Sequence, residues 1–189
     1  MCTRSPQVKI RRRPLEQHLY HEIKDDAKVQ SYLDEALPLI GKIVMSFNGL
    51  ESALNSVLCE HITDRTDATG LLVLHKMTYG TKLDLFKRFS DDFHRVMGHD
   101  VEAYVGLVDR LKEAGRLRNL VVHADWESTE DDGYTYVTVR ISERGMEQEY
   151  VQLSKDSLTQ LLETVESTRS QFDSYWEAKD DLLSTGGGT

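Results

Sequence analysis

Apolar residues recur at alternating spacings of three and four in the early part of this chain, which is the period of one helix face. The series runs through Leu33, Leu37, Ile40, Val44, Phe47, Glu51, Leu54 and Leu58. Side chains three and four positions apart share a helix face, so the series predicts a long amphipathic helix that begins near Gln30. Pro38 is expected to kink or split this helix, because proline removes a backbone donor. Glu51 is the charged member of an otherwise apolar series.

Two further stretches have a helical period. Thr81 and Asp84 have the spacing of a capping box, which predicts that a second core helix starts there. Its apolar face carries Phe86, Phe89, Phe93 and Met97, and an aromatic series at this spacing indicates core packing. The third core helix is expected to span about Asp100 to Ala124.

A β-hairpin is expected between the third helix and the last one. Residues 127–133 are acidic and suit a turn after the third helix. Residues 134–141 alternate in the manner of a strand, residues 142–145 suit a second turn, and residues 148–153 can return as the second strand. Ser154 then caps a final amphipathic helix. The pattern therefore predicts a mainly α fold, a helical bundle with a β-hairpin inserted before the last long helix.

Composition favours a soluble globular protein. The chain has 189 residues, 29% of them charged, which fits one domain with an adequate core. No apolar run approaches the roughly 20 residues of a membrane span, and residues 1–14 lack the apolar core of a signal peptide. Cys2 and Cys59 are too few for a disulfide framework, so we expect a reducing, cytoplasmic environment.

The charge is unevenly distributed. Residues 1–24 hold six Lys or Arg and two acidic residues, a net charge of +4, which leaves −13 for the remainder of a chain whose total is −9. Such an acidic body is a poor non-specific ligand for nucleic acid. The basic cluster at residues 9–13 suits either an RNA-contacting arm or a solvated, disordered tail, and we expect the tail.

These patterns divide the chain into three segments. Residues 1–26 form a basic arm with room for a short helix, residues 27–183 form the helical domain, and residues 184–189 form a disordered tail. His18 and His21 have the i,i+3 spacing of two metal ligands, but no third ligand is evident nearby. We therefore expect no metal ion.

An arginine interrupts the apolar stripe of the third helix. The stripe runs through Tyr104, Leu107, Val108, Leu111, Ala114 and Gly115. Arg118 falls in its middle and Val122 continues it. An unpaired buried charge is costly, so Arg118 needs a partner, a cleft or a second subunit. Glu51 interrupts its own stripe in the same way, which predicts that the two charges meet.

Polar side chains with complementary chemistry surround Arg118. Asn119 and His123 are one turn apart on the rim of the stripe, and Arg116 is close by. Arginine offers a planar set of donors suited to phosphate, and histidine exchanges a proton near neutral pH. Together they suit cleavage of a phosphodiester without a metal. The alternative is a structural ion pair of Arg118 beside a surface histidine.

The segment Arg118-Asn119-Leu120-Val121-Val122-His123 resembles the signature of the HEPN (higher eukaryotes and prokaryotes nucleotide-binding) domain family. Residues 47–54 resemble the acidic first core helix of many of its members, and residues 79–86 resemble the second helix, led by Lys82. Ala124-Asp125-Trp126 resembles the short tail after the histidine. The likeness covers roughly residues 30 to 180.

The resemblance implies an up-and-down helical bundle that forms a homodimer, with two copies of the Arg118–His123 helix around one cleft. In that cleft, Arg118 would hold the scissile phosphate, and His123 would handle the proton of the attacking 2′-hydroxyl or of the leaving oxygen. Asn119 would orient one of these two groups. Glu51, Lys82 and Arg116 bind or support, and no metal or other cofactor is required. RNA is then the expected substrate.

Two other functions remain open within the same resemblance. One is a non-catalytic HEPN module that binds a nucleotide or a partner protein, which the acidic composition favours. The other is a toxin, active in defence or stress response, with a nucleotidyltransferase antitoxin as partner. Members of that subgroup often have a tyrosine two residues after the histidine, where this chain has Asp125.

Overall fold

A computed structural model describes residues 8–15, 23–63, 67–98, 101–143 and 145–186. Over these ranges the protein is mainly helical, with one small antiparallel sheet. The chain divides into two compact units. Unit 1 comprises Met1–Val44 and Leu117–Thr164, and unit 2 comprises Met45–Arg116 and Val165–Thr189. Three helices, α1 (Asp26–Ile62), α4 (Leu107–Val122) and α5 (Lys155–Gly186), contribute residues to both units.

Unit 1 contains a four-stranded antiparallel sheet. Its strands are β1 (Lys9–Pro14), β2 (Asp125–Thr129), β3 (Tyr134–Ser142) and β4 (Gly145–Gln152), in the order β1-β4-β3-β2. The predicted hairpin is present as β3 and β4, with Tyr134 opposite Gln152 and Ser142 opposite Gly145. The sheet is nevertheless larger than predicted, because a strand is added on each side of the hairpin.

Strand β1 overturns the prediction of a disordered basic tail for residues 9–14. It pairs with β4 from Lys9 opposite Gln152 to Pro14 opposite Glu147. Its arginines bind acidic residues of the same unit. Arg11 forms ion pairs with Glu130 and Asp132 at 2.7 and 2.6 Å, Arg12 with Glu149 at 3.0 Å, and Arg13 with Glu130 at 2.9 Å. The short helix was expected within residues 15–27, of which residues 16–22 lie outside the described residues, together with the pair His18 and His21.

Strand β2 occupies part of what the sequence predicted as an acidic turn. Its last residue, Thr129, is fully buried, and its hydroxyl lies 3.0 Å from that of Thr135 on β3. The turn itself is confined to the residues between β2 and β3. Gly133 has a φ of 78°, and a Cβ there would lie 2.7 Å from the ring of Tyr32. A glycine is therefore required at this corner of the sheet.

The core of unit 1 lies among α1, α4, α5 and the sheet. It consists of Ala36, Ile43, Leu117, Val121, Ala124, Val151, Leu153, Leu158 and Leu161. The predicted stripe is wrong at this end of α1, because Leu37 is 54% exposed while Ala36 and Ile43 are buried. A small alanine holds the inward position, which hydrophobicity alone does not reveal.

Helix α1 is continuous through Pro38 and begins at Asp26, earlier than predicted. Proline leaves the carbonyl of the residue four positions earlier, Asp34, without its helical donor. Both residues are exposed, so water can satisfy that carbonyl. The prediction that Pro38 splits the helix is therefore wrong. At the other end of the chain, α5 continues to Gly186, so residues 184–186 belong to a helix rather than to a tail.

Unit 2 is helical and has its own core. Its further elements are α2 (Asp67–Leu74), α3 (Tyr79–Met97) and a 3-10 turn, Glu102–Tyr104. Thr78 caps α3 by accepting the N–H of Thr81 at 3.2 Å, so the helix starts before the predicted capping box. The third predicted helix starts only at Leu107, after Gly106 with a φ of 71°.

A contact between buried Lys179 and half-buried His61 lies among aromatic rings in unit 2. Lys179 Nζ lies 2.8 Å from His61 Nε2 and 4.4 Å from the centroid of the Trp176 ring. The His61 ring stacks on Phe89 with centroids 4.8 Å apart. Burial, and secondly the charge of Lys179, lowers the pKa of His61 to about 4. Burial also lowers the pKa of Lys179 to about 8.

The His61 pKa makes stability depend on pH. Its value is about 4 in the folded protein and 6.5 for a free histidine, so the folded state binds fewer protons between these values. The free energy of unfolding should therefore fall as pH drops from 6.5 to 4, with a His61 contribution of at most about 3 kcal/mol. Lys179 stays protonated in both states over this range.

Urea unfolding at several pH values between 4 and 7 measures the effect. In His61→Gln the fall should be smaller than in the wild type, because Gln does not titrate. His75→Gln, at an exposed position in the same unit, is the matched control and should keep the wild-type dependence. Equal pH dependence of all three proteins would contradict the assignment to His61.

Candidate functional site

The residues of the HEPN-like motif gather at the C-terminal end of α4, within unit 1. Arg118 and Asn119 lie in its last turns, and His123 follows its last residue, Val122. The Arg118 Nη1 atom donates to Asn119 Oδ1 at 3.0 Å. The backbone N–H of His123 donates to the Asn119 carbonyl at 3.0 Å, which extends the helical hydrogen bonding by one residue. Local bonds thus join the Arg118 and Asn119 side chains and place the His123 backbone one turn after Asn119.

The motif residues differ in exposure. Asn119 and His123 are exposed, whereas Arg118 is half-buried and its Nε atom is buried. The side chains therefore offer two solvent-facing polar groups beside a partly desolvated cation. A cation in that setting interacts more strongly with an anion than it would in bulk water.

The prediction that Arg118 lies in the middle of the buried stripe is wrong. The stripe runs through Leu111, Ala114, Leu117 and Val121, all fully buried, while Val122 is 39% exposed. Arg118 lies beside this face. Leu117 precedes Arg118, and a run of apolar residues (Leu120, Val121 and Val122) follows after Asn119, so the pattern fitted two helical faces equally well. The edge position still leaves Arg118 half-buried.

The chain after His123 anchors this end of the helix. Ala124 is buried, and β2 begins at the next residue. The Trp126 indole N–H donates to the Val121 carbonyl at 2.9 Å, which satisfies one of the carbonyls that a helix end leaves open. The sequence indicated the short tail Ala124-Asp125-Trp126 but did not predict this bond. The histidine is consequently placed at a direct junction of helix and strand.

Arg116, the predicted supporting cation, is engaged elsewhere in unit 2. Its Nε and Nη2 atoms contact the two carboxylate oxygens of Glu113 at 2.7 and 2.8 Å. These hydrogen bonds to Glu113 are the main reason why the pKa of Arg116 is raised. A direct role of Arg116 at the motif stays a prediction.

Glu51 and Lys82 form an ion pair in unit 2. The Lys82 Nζ atom lies 2.9 Å from Glu51 Oε1, Lys82 is buried and Glu51 is half-buried. Lys82 stands in the first turn of α3, where a cation is unfavourable against the helix dipole. The Glu51 carboxylate offsets this unfavourable position of the lysine. A pairing of Glu51 with Arg118, which belongs to unit 1, stays a prediction.

Over the ranges that the structure describes, no three His, Cys, Asp or Glu side chains come together in a way that would hold a metal ion. Within the same ranges, no helix combines the length and apolar character needed to cross a membrane.

Comparison of the chain with family models, with curated proteins and with solved structures gave no significant match. The likeness to HEPN domains therefore stands on the motif residues themselves.

The Glu51–Lys82 pair should stabilise unit 2. Lys82→Met leaves a half-buried carboxylate without its cation, and we expect a loss of about 1–3 kcal/mol in the free energy of unfolding. The double variant Glu51→Gln/Lys82→Met should recover part of this loss. Urea unfolding of the four proteins of the double-mutant cycle measures the coupling.

Arg95→Ala is the matched control on the same helix. Arg95 pairs with Asp92 at the surface, with side chains 75% and 63% exposed, so its loss should change stability by less than about 0.5 kcal/mol. Additive effects of the two single variants at Glu51 and Lys82 would show that the pair does not stabilise the fold.

Proposed function

We propose that this protein is a HEPN-like endoribonuclease that cleaves RNA without a metal ion. The observation that carries the proposal is the group at the end of α4. There the Arg118 guanidinium is hydrogen bonded to the Asn119 side chain at 3.0 Å, and exposed His123 follows on the next turn. A group that can bind phosphate, a neutral polar group and a proton carrier are thus placed together at one helix end.

In this proposal Arg118 binds the scissile phosphate. Its planar guanidinium matches two phosphate oxygens, and its partial burial strengthens the attraction to the negative charge that develops in the transition state. The bond to Asn119 restrains the guanidinium, and the Asn119 amide orients the phosphate or the reacting hydroxyl.

His123 transfers the proton. As a base it accepts the proton of the RNA 2′-hydroxyl, whose oxygen attacks the adjacent phosphorus. The bond from phosphorus to the 5′-oxygen breaks, and that oxygen leaves as a hydroxyl after protonation. The products are a 2′,3′-cyclic phosphate and a 5′-hydroxyl end, and no metal takes part in any step.

A homodimer around the Arg118–His123 helix completes the proposed site. The reaction needs a base and an acid, and each protomer supplies one His123. A twofold interface brings two identical patches together, so one histidine accepts the proton while the other donates. The proposal places this dimer in the cytoplasm, in defence or stress response. A toxin with a nucleotidyltransferase antitoxin as partner is a separate alternative, and Asp125 stands where that subgroup often has tyrosine.

The second candidate function is a non-catalytic HEPN module that binds a nucleotide or a partner protein. It is favoured by the charge of the molecule. The total is −9, and the arginines of β1 are bound to Glu130, Asp132 and Glu149. The basic segment therefore adds little uncompensated positive charge that would attract RNA.

Cleavage of single-stranded RNA in the presence of a chelator tests the enzyme proposal. Wild-type protein should retain full activity, produce 2′,3′-cyclic phosphate ends and leave DNA intact, because DNA lacks the attacking hydroxyl. His123→Ala should lose at least about 100-fold in rate. It should keep its fold, because His123 is exposed. Gel electrophoresis and mass spectrometry of the product ends measure these outcomes.

His75→Ala is the matched control, since His75 is also exposed but lies outside the motif. It should cleave at the wild-type rate. Undiminished cleavage by folded His123→Ala would exclude the mechanism. Failure of the wild type to cleave any RNA would instead favour the non-catalytic module.

Light scattering at micromolar concentration tests the dimer separately. We expect twice the mass of the chain. A monomer would remove the two-histidine arrangement and leave cleavage to be explained by one protomer.

A further inference from the structure

A groove runs between α1 and α5 within unit 2. Its volume is about 310 Å³, and its apolar floor is formed by Ala53, Val57, Phe172 and Trp176. The lining positions on each helix follow the spacing i, i+3, i+4 and i+7. The groove therefore extends along two turns of both helices, a length of about 10 Å.

The rim of the groove is acidic. Glu60 on α1 and Asp173 and Glu177 on α5 line it, together with Arg169. Arg169 is already engaged, because its Nε atom contacts both carboxylate oxygens of Asp173 at 2.8 Å and its guanidinium also donates to the Gly49 carbonyl. Within the described part of the chain, Glu60 and Glu177 form no hydrogen bond or ion pair. The rim thus carries negative charge, which Lys179 near Glu60 offsets only in part.

The surroundings of Glu60 are also negative. Burial first, and then the charges of Asp180 and Asp67, raise the pKa of Glu60, and these effects outweigh the nearby Lys179. A positive charge placed at this end of the groove would therefore be stabilised by several carboxylates at once.

An aromatic ring adds to this preference. Lys179 Nζ lies 4.4 Å from the centroid of Trp176, so this ring already stabilises one ammonium group. The long stems of Lys and Arg side chains also pack well against apolar surfaces. A floor with an aromatic ring and a rim of carboxylates together favour basic side chains.

We propose that this groove binds a basic amphipathic helix of a partner protein. The apolar face of that helix would cover Ala53 and Trp176, and its Lys or Arg side chains would reach Glu60 and Glu177. A helix fits because the groove lies between two helices over whole turns, where the side-chain ridges of a third helix pack. The inference does not rest on the ribonuclease proposal, whose motif lies in unit 1.

Two synthetic peptides test the proposal with the full-length protein. The first has about 15 residues of Leu, Lys and Ala, with Leu at i, i+3, i+4 and i+7 so that it forms a basic amphipathic helix. The second has the same composition in an order that spreads Leu around the helix. Calorimetric titration at about 150 mM salt measures affinity, and backbone amide shifts locate the binding site.

Charge-reversed variants assign the binding to the groove. Glu60→Lys/Glu177→Lys should weaken the patterned peptide at least about tenfold, and both positions are exposed, so the fold should be retained. The matched control is Glu163→Lys/Glu166→Lys, at two exposed positions of α5 outside the groove with the same change in net charge. A patterned peptide with Glu in place of Lys should bind the groove variant better than the wild type.

The proposal is supported if the patterned peptide binds one to one, shifts amides at the groove, and is weakened by the groove variant alone. Equal binding of both peptides, or equal weakening by the control variant, would reduce the effect to general electrostatics and overturn it. Absence of peptide binding would overturn it as well. So would self-association that Glu60→Lys/Glu177→Lys abolishes, because the occupant would then be a second copy of this chain.

Discussion

The buried carboxylate of Glu130 joins two parts of unit 1 that lie far apart in the sequence, strand β1 and the turn after β2. Glu130 is 4% exposed, and an unpaired charge at that depth would cost several kcal/mol. Arg11 and Arg13 compensate it at 2.7 and 2.9 Å, which ties β1 to the turn between β2 and β3. The position of β1 beside β4 follows from this requirement. The same contacts turn the most basic segment of the chain into a structural part of the sheet.

The sequence predicted those features that depend on neighbours along the chain. Alternation in β3 and β4 predicted the hairpin, and the cap at Ser154 is present, where the Ser154 hydroxyl accepts the Ser157 N–H at 3.3 Å. The prediction from sequence failed for β1, because a run of basic residues has no apolar alternation. The acidic partners of these residues also lie more than 100 positions away. The prediction also failed where a small or polar residue points inward. Ala36, at 2% exposure, takes the inward position that was predicted for Leu37, and His94 is buried at 6% exposure on a face for which only aromatic and other apolar residues were predicted.

The same distinction applies to the candidate site. Arg118, Asn119 and His123 are near one another because one helical turn places them so, and their spacing was sufficient to predict it. The ion pair of Glu51 with Lys82 joins two helices, and the pattern suggested a different cation for Glu51. The period of α4 could not distinguish the face through Leu117 from the face through Arg118, since both contain apolar residues. Whether a second protomer completes the site depends on a surface that no pattern within one chain specifies.

The pairing of β1 with β4 has a consequence for synthesis of the chain. Residue 9 is made 143 residues before its partner in the sheet, residue 152. Until residues 130 and 149 have been made, the arginines of β1 lack Glu130 and Glu149, so the nascent chain carries an exposed basic segment. Contacts of such sequence separation form late and slow folding, because a long loop must close first. The sheet of unit 1 is thus completed only after residue 152 has been made.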